Sequence, residues 1–330
     1  MKAEAGAEVP AGPLAGLRVF DLSKRFGHYC GKLMADMGAE VILVEPPRTG
    51  TALREQPPFL FGRDADRESG IPFVYLNTSK RGITLDLHSD KGARLLTELV
   101  AGADLVLEDG APGELAAMGL GYEKLSARNP RLSMTSITPF GQTGPYAAHA
   151  ADDLTLLAQG GLLHMMGYAD LPPTQAAGNQ AYAMGSMFAA VGSMLALYEA
   201  QTSGIGQQVD VSIQECVVLA LENAAQLFDL EHKVRQRQGI EQRYAGSGVF
   251  PCADGHVYVF AGGMAAARFW RNLVDWLVGE GVPGAQDLGS PQWSDMAYVN
   301  SDAAKEAFAR IFGGFAQQRT MADLYLAAQS

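Results

Sequence analysis

The residues best suited to chemistry sit in polar runs that interrupt apolar segments. One run is Ser23-Lys24-Arg25-Phe26-Gly27-His28-Tyr29, which follows the apolar stretch Leu17–Leu22. A second is Asn77-Thr78-Ser79-Lys80-Arg81-Gly82, a polar turn with two adjacent cations. Arg48, Arg54 and Arg63 lie in the loop-like stretch 46–70, where they could meet an anionic ligand or simply keep a loop solvated. Asp152 and Asp153 offer paired carboxylates, but adjacent residues at a helix start point in different directions. An N-cap role for Asp152 and the helix dipole for Asp153 explain them without catalysis, and nearby His149 reads as a surface histidine. Two nucleotide fingerprints are missing. No G-x-G-x-x-G follows the first run, only Gly27 and Gly31 four apart, and no G-x-x-x-x-G-K-[ST] occurs, so neither a nicotinamide cofactor nor a P-loop nucleotide is expected. Cys30, Cys216 and Cys252 match neither a zinc nor a disulfide pattern; no metal is expected, and the thiols read as small hydrophobes in a reducing cytoplasm.

These runs need elements to hold them. Leu17–Leu22 and Val41–Val44 are rich in β-formers. Between them Tyr29, Leu33, Met34 and Met37 recur at helical spacing, and Gly38 closes the helix. Short connections and a right-handed crossover make the two strands parallel neighbours. Ligands in open α/β sheets lie beyond the carboxyl ends of strands, so Ser23–Tyr29 and Glu45–Pro47 should face one crevice. On the residues alone, this strand–helix–strand unit is either a site or scaffold.

The pattern continues. Phe73–Leu87 reads as a polar turn and a strand in which Ile83, Leu85 and Leu87 alternate with Thr84 and Asp86. Ser89–Ala101 reads as a helix capped by Ser89, Ala103–Leu107 as a buried strand, 112–118 and 122–127 as short helices, and Arg131–Thr138 as a strand. Strands alternating with helices indicate a mainly parallel sheet covered on both faces. Asp152–Met165 and Tyr182–Ala200 read as helices, Gly206–Val211 as a strand and Ser212–Leu230 as one long helix. Ala181–Tyr198 approaches membrane-span length, but its Gly185, Ser186, Ala189, Ala190, Gly192 and Ser193 suit a buried helix, so no membrane is expected. The domains expected are a loose tail over 1–13, a large domain over 14–230, a linker over 231–248 and a small domain over 249–330. The small domain opens on a hairpin, Val249–Cys252 and His256–Ala261, followed by helices over Ala265–Val278, Ala303–Phe312 and Met321–Ala328. A chain of 330 residues with 48% hydrophobic and 8% aromatic content buries a large core, and a net charge of −11 argues against nucleic acid as partner.

Several stretches together resemble the class III (CaiB/BaiF) CoA-transferases, a family that also includes formyl-CoA transferase and α-methylacyl-CoA racemase. They are GLRVFDLS, GAEVILVEPP, NTSKRGITLDL, ADLVLEDGAPGELAAMGLGYEKL, NPRLSMTSITPFGQTGPY and GIGQQVDVSIQE. The resemblance runs from Leu14 to Ser330. It implies a Rossmann-like, mainly parallel sheet domain plus a smaller α+β domain, in an interlocked dimer of cytoplasmic chains. It implies coenzyme A, bound as an acyl-CoA substrate, with a carboxylic acid as the second substrate. By position, Arg25, Phe26, Gly27, Asn77, Lys80 and Arg81 would hold CoA, the cations meeting its phosphates.

The departures bear on mechanism. The family nucleophile is an aspartate within G-x-x-x-x-D-x-x-x-G, ahead of the small-residue helix; it accepts the acyl group and then forms an aspartyl-CoA thioester. Here that position falls on Tyr182 or Ala181, and neither has a carboxyl group. Where the formyl-CoA transferase branch has an Asn-Phe pair and an arginine that contact CoA, this chain has Asp109-Gly110 and Ala117; Asp109 would then bring like charge to the diphosphate. The racemase branch's His-Asp pair is replaced by Asp152-Asp153, and family members continue beyond the point where this sequence stops. The expectation is a transferase subunit without the nucleophile, in a homodimer or paired with a catalytic paralogue. An active transferase using another nucleophile, a CoA-ester lyase, hydratase or isomerase with Tyr182 as acid/base, and a CoA-ester binding protein remain as alternatives.

Overall fold

The computed structural model describes residues 12–60, 62, 66–221, 223–262 and 267–329; Arg63 and most of the expected 1–13 tail lie outside the described residues. The chain divides into two compact units, Met1–His164 with Gln175–Val234, and Met165–Thr174 with Arg235–Ser330.

The first unit is a doubly covered α/β sheet. Its elements in order are β1 (Arg18–Asp21), α1 (His28–Asp36), β2 (Glu40–Glu45), α2 (Ile71–Leu76), β3 (Arg81–Thr84), α3 (Asp90–Val100), β4 (Leu105–Glu108), α4 (Glu114–Ala117), α5 (Tyr122–Arg128), β5 (Ser133–Thr138), α6 (Asp153–Gln159), α7 (Gln180–Ser203), β6 (Gln208–Ser212), α8 (Ile213–Leu219) and α9 (Ala224–Glu231). All six strands are parallel, in the order β3-β2-β1-β4-β5-β6. The order reverses between β1 and β4, where Phe20 lies opposite Val106, and a crevice opens at such a reversal. Side chains alternate across the sheet. Val19, Val41, Leu105 and Leu107 join Cys30 and Met34 of α1 and the small residues of α7 on one face. Phe20, Val44, Val106 and Met134 join Leu96, Val100 and Leu125 on the other. Burying each such side chain contributes about 1.5–3 kcal/mol.

Several sequence expectations need correction. Phe73–Leu76 is helical, because Gly70 and Pro72 start a helix at Ile71, and the strand stops at Thr84. The stretch 212–230 is two helices, with Asn223 at the start of the second, a residue that favours caps over helix interiors. In α1 the core-facing row is Cys30 and Met34 with Gly31 and Ala35, while Met37 is exposed. Gly31 is required there, since a Cβ would lie 2.3 Å from Asp21 Oδ2. Helix α7 is long and apolar enough to cross a membrane by length and composition, and half of its most apolar window is buried. Its Gly185, Ser186, Ala189 and Ser193 are buried, whereas Met187, Val191, Leu195 and Tyr198 form an exposed stripe.

The second unit contains the antiparallel hairpin β7 (Ser247–Cys252) and β8 (Gly255–Phe260), the helix α10 (Ala267–Gly279), and shorter helical turns through Met321–Gln329. Its core is aromatic: Phe250, Phe308 and Phe312 meet edge-on and stacked, and Trp270 stacks on Trp293. The hairpin begins at Ser247, inside the stretch read as linker, and residues 165–174 pack with this unit. All three cysteines are free; Cys30 and Cys216 are buried and Cys252 is half-buried.

Candidate functional site

The carboxyl ends of β1 and β4 bring the turn Leu22–Gly27 against Asp109. The backbone N–H of Lys24 donates to Asp109 Oδ1 at 2.6 Å, and those of Arg25, Phe26 and Gly27 donate to Oδ2 at 2.8, 2.5 and 3.1 Å. Gly27 has no room for a side chain, since a Cβ would meet Ser23 Oγ at 2.3 Å. The Lys24 ammonium pairs with Glu114 on α4.

The same turn meets the start of α7. Ser186 Oγ donates to the Phe26 carbonyl at 2.6 Å, and the Phe26 and Tyr182 rings pack edge-on at 4.9 Å. The Arg25 guanidinium lies over both rings, 5.5 Å from Phe26 and 5.3 Å from Tyr182. Tyr182 is buried, and its hydroxyl has no hydrogen-bond partner. Burial pushes its phenol above the usual range; Arg25 opposes this and Asp153 and Asp152 add to it. Ala181 is fully buried, and its N–H donates to Asp153 Oδ1 at 2.8 Å, with Gln175 Nε2 at 3.3 Å from Oδ2. Asp153 therefore caps α7, a role its sequence position at the start of α6 did not reveal. Burial raises its pKa, against the pull of the Ala181 N–H. Asp152 caps α6, accepting from Thr155 N at 2.8 Å and Oγ1 at 2.7 Å, contacts that hold its carboxyl below the usual range.

The Asn77–Arg81 turn is organised differently from a ligand clamp. Lys80 Nζ is buried and donates to Asp21 Oδ2 at 2.7 Å, the His28 carbonyl at 2.8 Å and Asn77 Oδ1 at 2.8 Å, which engages all three of its hydrogens. Asn77 Oδ1 also meets His28 Nδ1 at 3.1 Å, and Asn77 Nδ2 donates to the Phe73 carbonyl. Lys80 and Asn77 thus lie beneath the turn, not on a surface open to a phosphate. Arg81 is exposed and pairs with Glu40 at 2.9 Å, a contact loose enough to exchange for another anion. Arg54 is held by Glu45 and Glu68 and covers the Phe73 ring at 3.8 Å, so its charge serves the loop.

A cavity of about 270 Å³ opens along the carboxyl ends of β1 to β4, with Leu22, Lys24, Glu45, Asp86, His88 and Glu108 on its walls. Glu108, the last residue of β4, is buried; desolvation, reinforced by Asp109 and Glu114, pushes its carboxyl up to about 7, against hydrogen bonds from Ser136 and the Gly110 N–H. The sequence reasoning passed over Glu108. Its signal was a carboxyl group ending a wholly apolar strand beside Asp109.

The sequence profile described as CoA-transferase family III matches residues 14–328. The chain is 41% identical over 309 residues to the succinyl-CoA:(R)-benzylsuccinate CoA-transferase subunit BbsE of Thauera aromatica, covering 93% of this chain and 74% of that one. It is 39% identical to the succinyl-CoA–D-citramalate CoA-transferase of Chloroflexus aurantiacus, covering 76% of this chain and 61% of that one. Among solved structures, a CaiB/BaiF family protein from Brucella suis is similar, with a TM-score of 0.78 and 28% identity, covering 97% of this chain and 82% of that one.

Proposed function

The chain belongs to CoA-transferase family III, and we propose that it is the subunit of a two-chain CoA-transferase that lacks the acyl-accepting carboxylate. A paralogue would supply that group. The substrates would be a CoA thioester and a carboxylic acid; both relatives named above carry succinyl-CoA in their names, which makes a succinyl-type donor the class to try first. One observation carries the reading. The position that the resemblance assigns to the nucleophile falls on Tyr182 or Ala181, neither with a carboxyl group; the Tyr182 hydroxyl is buried and unpartnered, and the two carboxylates nearby cap helices. In the family's reaction a carboxylate oxygen attacks the thioester carbonyl and CoA thiolate leaves. The thiolate then returns to the mixed anhydride, leaving the enzyme carbonyl as a thioester and releasing the donor acid. A tyrosine would yield a phenyl ester, with no enzyme carbonyl for the thiolate to take. Contact with CoA is assigned to Arg25, Phe26, Gly27 and Arg81, with Asn77 and Lys80 supporting the turn from below.

Two further features support a partner chain. The Thauera relative is itself named a subunit. The stripe Met187, Val191, Leu195 and Tyr198 exposes apolar area along about three turns of α7, which a second chain would cover. A second reading, an active transferase using Asp153, rests on that buried carboxyl lying beside Tyr182. Hydroxylamine trapping separates the two. The purified chain, given succinyl-CoA and an acceptor acid, should exchange no CoA, and adding the paralogue should restore exchange. A hydroxamate on any Asp or Glu of this chain, found by peptide mass spectrometry, overturns the proposal; one on Asp153 establishes the second reading.

A further inference from the structure

Residues 46–60 leave the end of β2 as a strap that returns to helix α2. The Ile71 N–H donates to the Pro58 carbonyl at 2.9 Å and the Leu60 N–H to the Ser69 carbonyl at 2.9 Å, which ties strap and helix into one piece. Few apolar contacts fasten this piece to the sheet. Among residues 46–60 only Thr51 and Leu53 are buried, and α2 buries none of its side chains, with Ile71, Val74 and Tyr75 exposed. A piece with so little buried apolar surface opens at much lower cost than the whole domain unless polar contacts hold it. The strap also places Pro46, Gly50, Thr51 and Ala52 in the wall of the cavity beyond β1 to β4.

One side chain does most of the holding. Arg54 Nε and Nη2 donate to the two carboxylate oxygens of Glu45, the last residue of β2, at 2.8 and 2.7 Å. Its Nη1 donates to Glu68 at 2.7 Å, and the guanidinium carbon lies 3.8 Å from the centre of the Phe73 ring on α2. The edge of the guanidinium thus grips the sheet while its face grips the helix. The strap packs closely around it: a Cβ on Gly50 would lie 2.6 Å from Arg54 Cδ, and one on Gly70 would lie 2.8 Å from the Arg54 carbonyl oxygen. The Thr51 N–H adds a bond to Glu45 at 2.9 Å. Beyond α2, Asn77 joins His28 and Lys80, and the Lys32 ammonium lies over the Tyr75 ring at 5.1 Å. We propose that the strap and α2 form a flap and that Arg54 is its latch. The flap swings about its two ends, Glu45 and Asn77. It opens the cavity on the β2 side when the guanidinium lets go, and closes when Glu45 and Phe73 are gripped together. This inference does not rest on the CoA reading above.

The test is amide hydrogen exchange of the full chain, read residue by residue in increasing guanidinium chloride. In the wild type, the amides of Thr51, Arg54, Ile71 and Val74 should exchange through one shared opening, at less denaturant than the amides of β1 and β4. Arg54→Lys keeps the charge and loses both the fork and the stacking face. It should speed exchange at these four amides by roughly tenfold or more and leave the strand amides unchanged. Phe73→Leu keeps an apolar side chain and removes the ring; it should speed the same four amides by a smaller factor. Separate openings for the strap and α2 in the wild type, or exchange of both only together with the strands, would overturn the flap. Unchanged exchange in Arg54→Lys, or protection lost equally in the strands, would overturn Arg54 as the latch. Where Arg54→Lys does not fold, Phe73→Leu decides: no faster exchange at the four amides overturns the latch, and faster exchange confined to them supports it.

Discussion

Replacing Lys80 by Met removes a charge that the fold itself uses. Asp21 and Lys80 side chains are 0% and 1% exposed, and the pair lies under α1 at a point where Gly31 is needed to make room. In Lys80→Met the Asp21 carboxylate keeps the Ser23 N–H at 3.0 Å and loses its counter-charge. Breaking a buried pair from one side costs about 3–5 kcal/mol, a large part of a typical total of about 5–15 kcal/mol. The urea midpoint at pH 7 should fall by about 1 M or more. The pH dependence has a definite sign. Burial pushes the Asp21 carboxyl up, but Lys80 and then His28 outweigh it, and the net shift is downward. In the wild type the pair's contribution is therefore present above the ordinary carboxylate range and lost as pH falls through the lowered value. In Lys80→Met burial loses its main opponent and the Asp21 pKa rises. The variant's deficit should then shrink as pH falls from 7 toward 5, as Asp21 takes up a proton. Asp21→Asn added to Lys80→Met should recover most of the midpoint. An unchanged midpoint combined with lost CoA binding would refute this reasoning and return Lys80 to the ligand.

Two further outcomes follow from the site. Glu108, held near 7, binds its proton more tightly folded than unfolded, so the stability it supplies is full below the ordinary glutamate range and is lost as pH rises through 7. Glu108→Gln should therefore raise the melting temperature relative to wild type at pH 8 and much less at pH 5; equal differences at both would mean that Glu108 does not titrate there. Tyr182→Phe removes a buried hydroxyl with no partner, and should be neutral or stabilising by up to about 1 kcal/mol. It should also leave the activity of the mixed subunits unchanged, and a large loss of turnover would favour an acid/base role for the phenol.

The fold was legible because it depends on local pattern. The runs at Val19–Phe20, Val41–Val44 and Leu105–Leu107 are strands buried on both sides, and such strands read as continuous apolar sequence. Ser89, Asp152 and Ser212 cap helices as their types suggest. What stayed hidden depends on distant partners. Lys80 looks like a phosphate ligand in sequence, and only the fold brings Asp21, 59 residues earlier, to 2.7 Å from its ammonium. Asp153 looks like a first-turn residue of α6, and only the fold sets it against Ala181. The α7 stripe escaped for a similar reason: an apolar helix shows its composition in sequence, but not which face the sheet covers.

Asp109 joins these two kinds of information. Sequence comparison alone makes it a hostile charge near a diphosphate. The geometry gives that charge four backbone donors, so the carboxylate stabilises the turn. On the other side of the turn, the Tyr182 ring lies 5.3 Å from the Arg25 guanidinium. Arg25 faces a π surface, and the turn it belongs to is fixed from one side by Asp109 and from the other by Ser186. Asp109 and Tyr182 thus keep the turn and the first turn of α7 packed. A chain that had merely decayed would have little reason to satisfy four amides at once. The retained order of the turn is better explained if its shape still serves a substrate or a neighbouring chain.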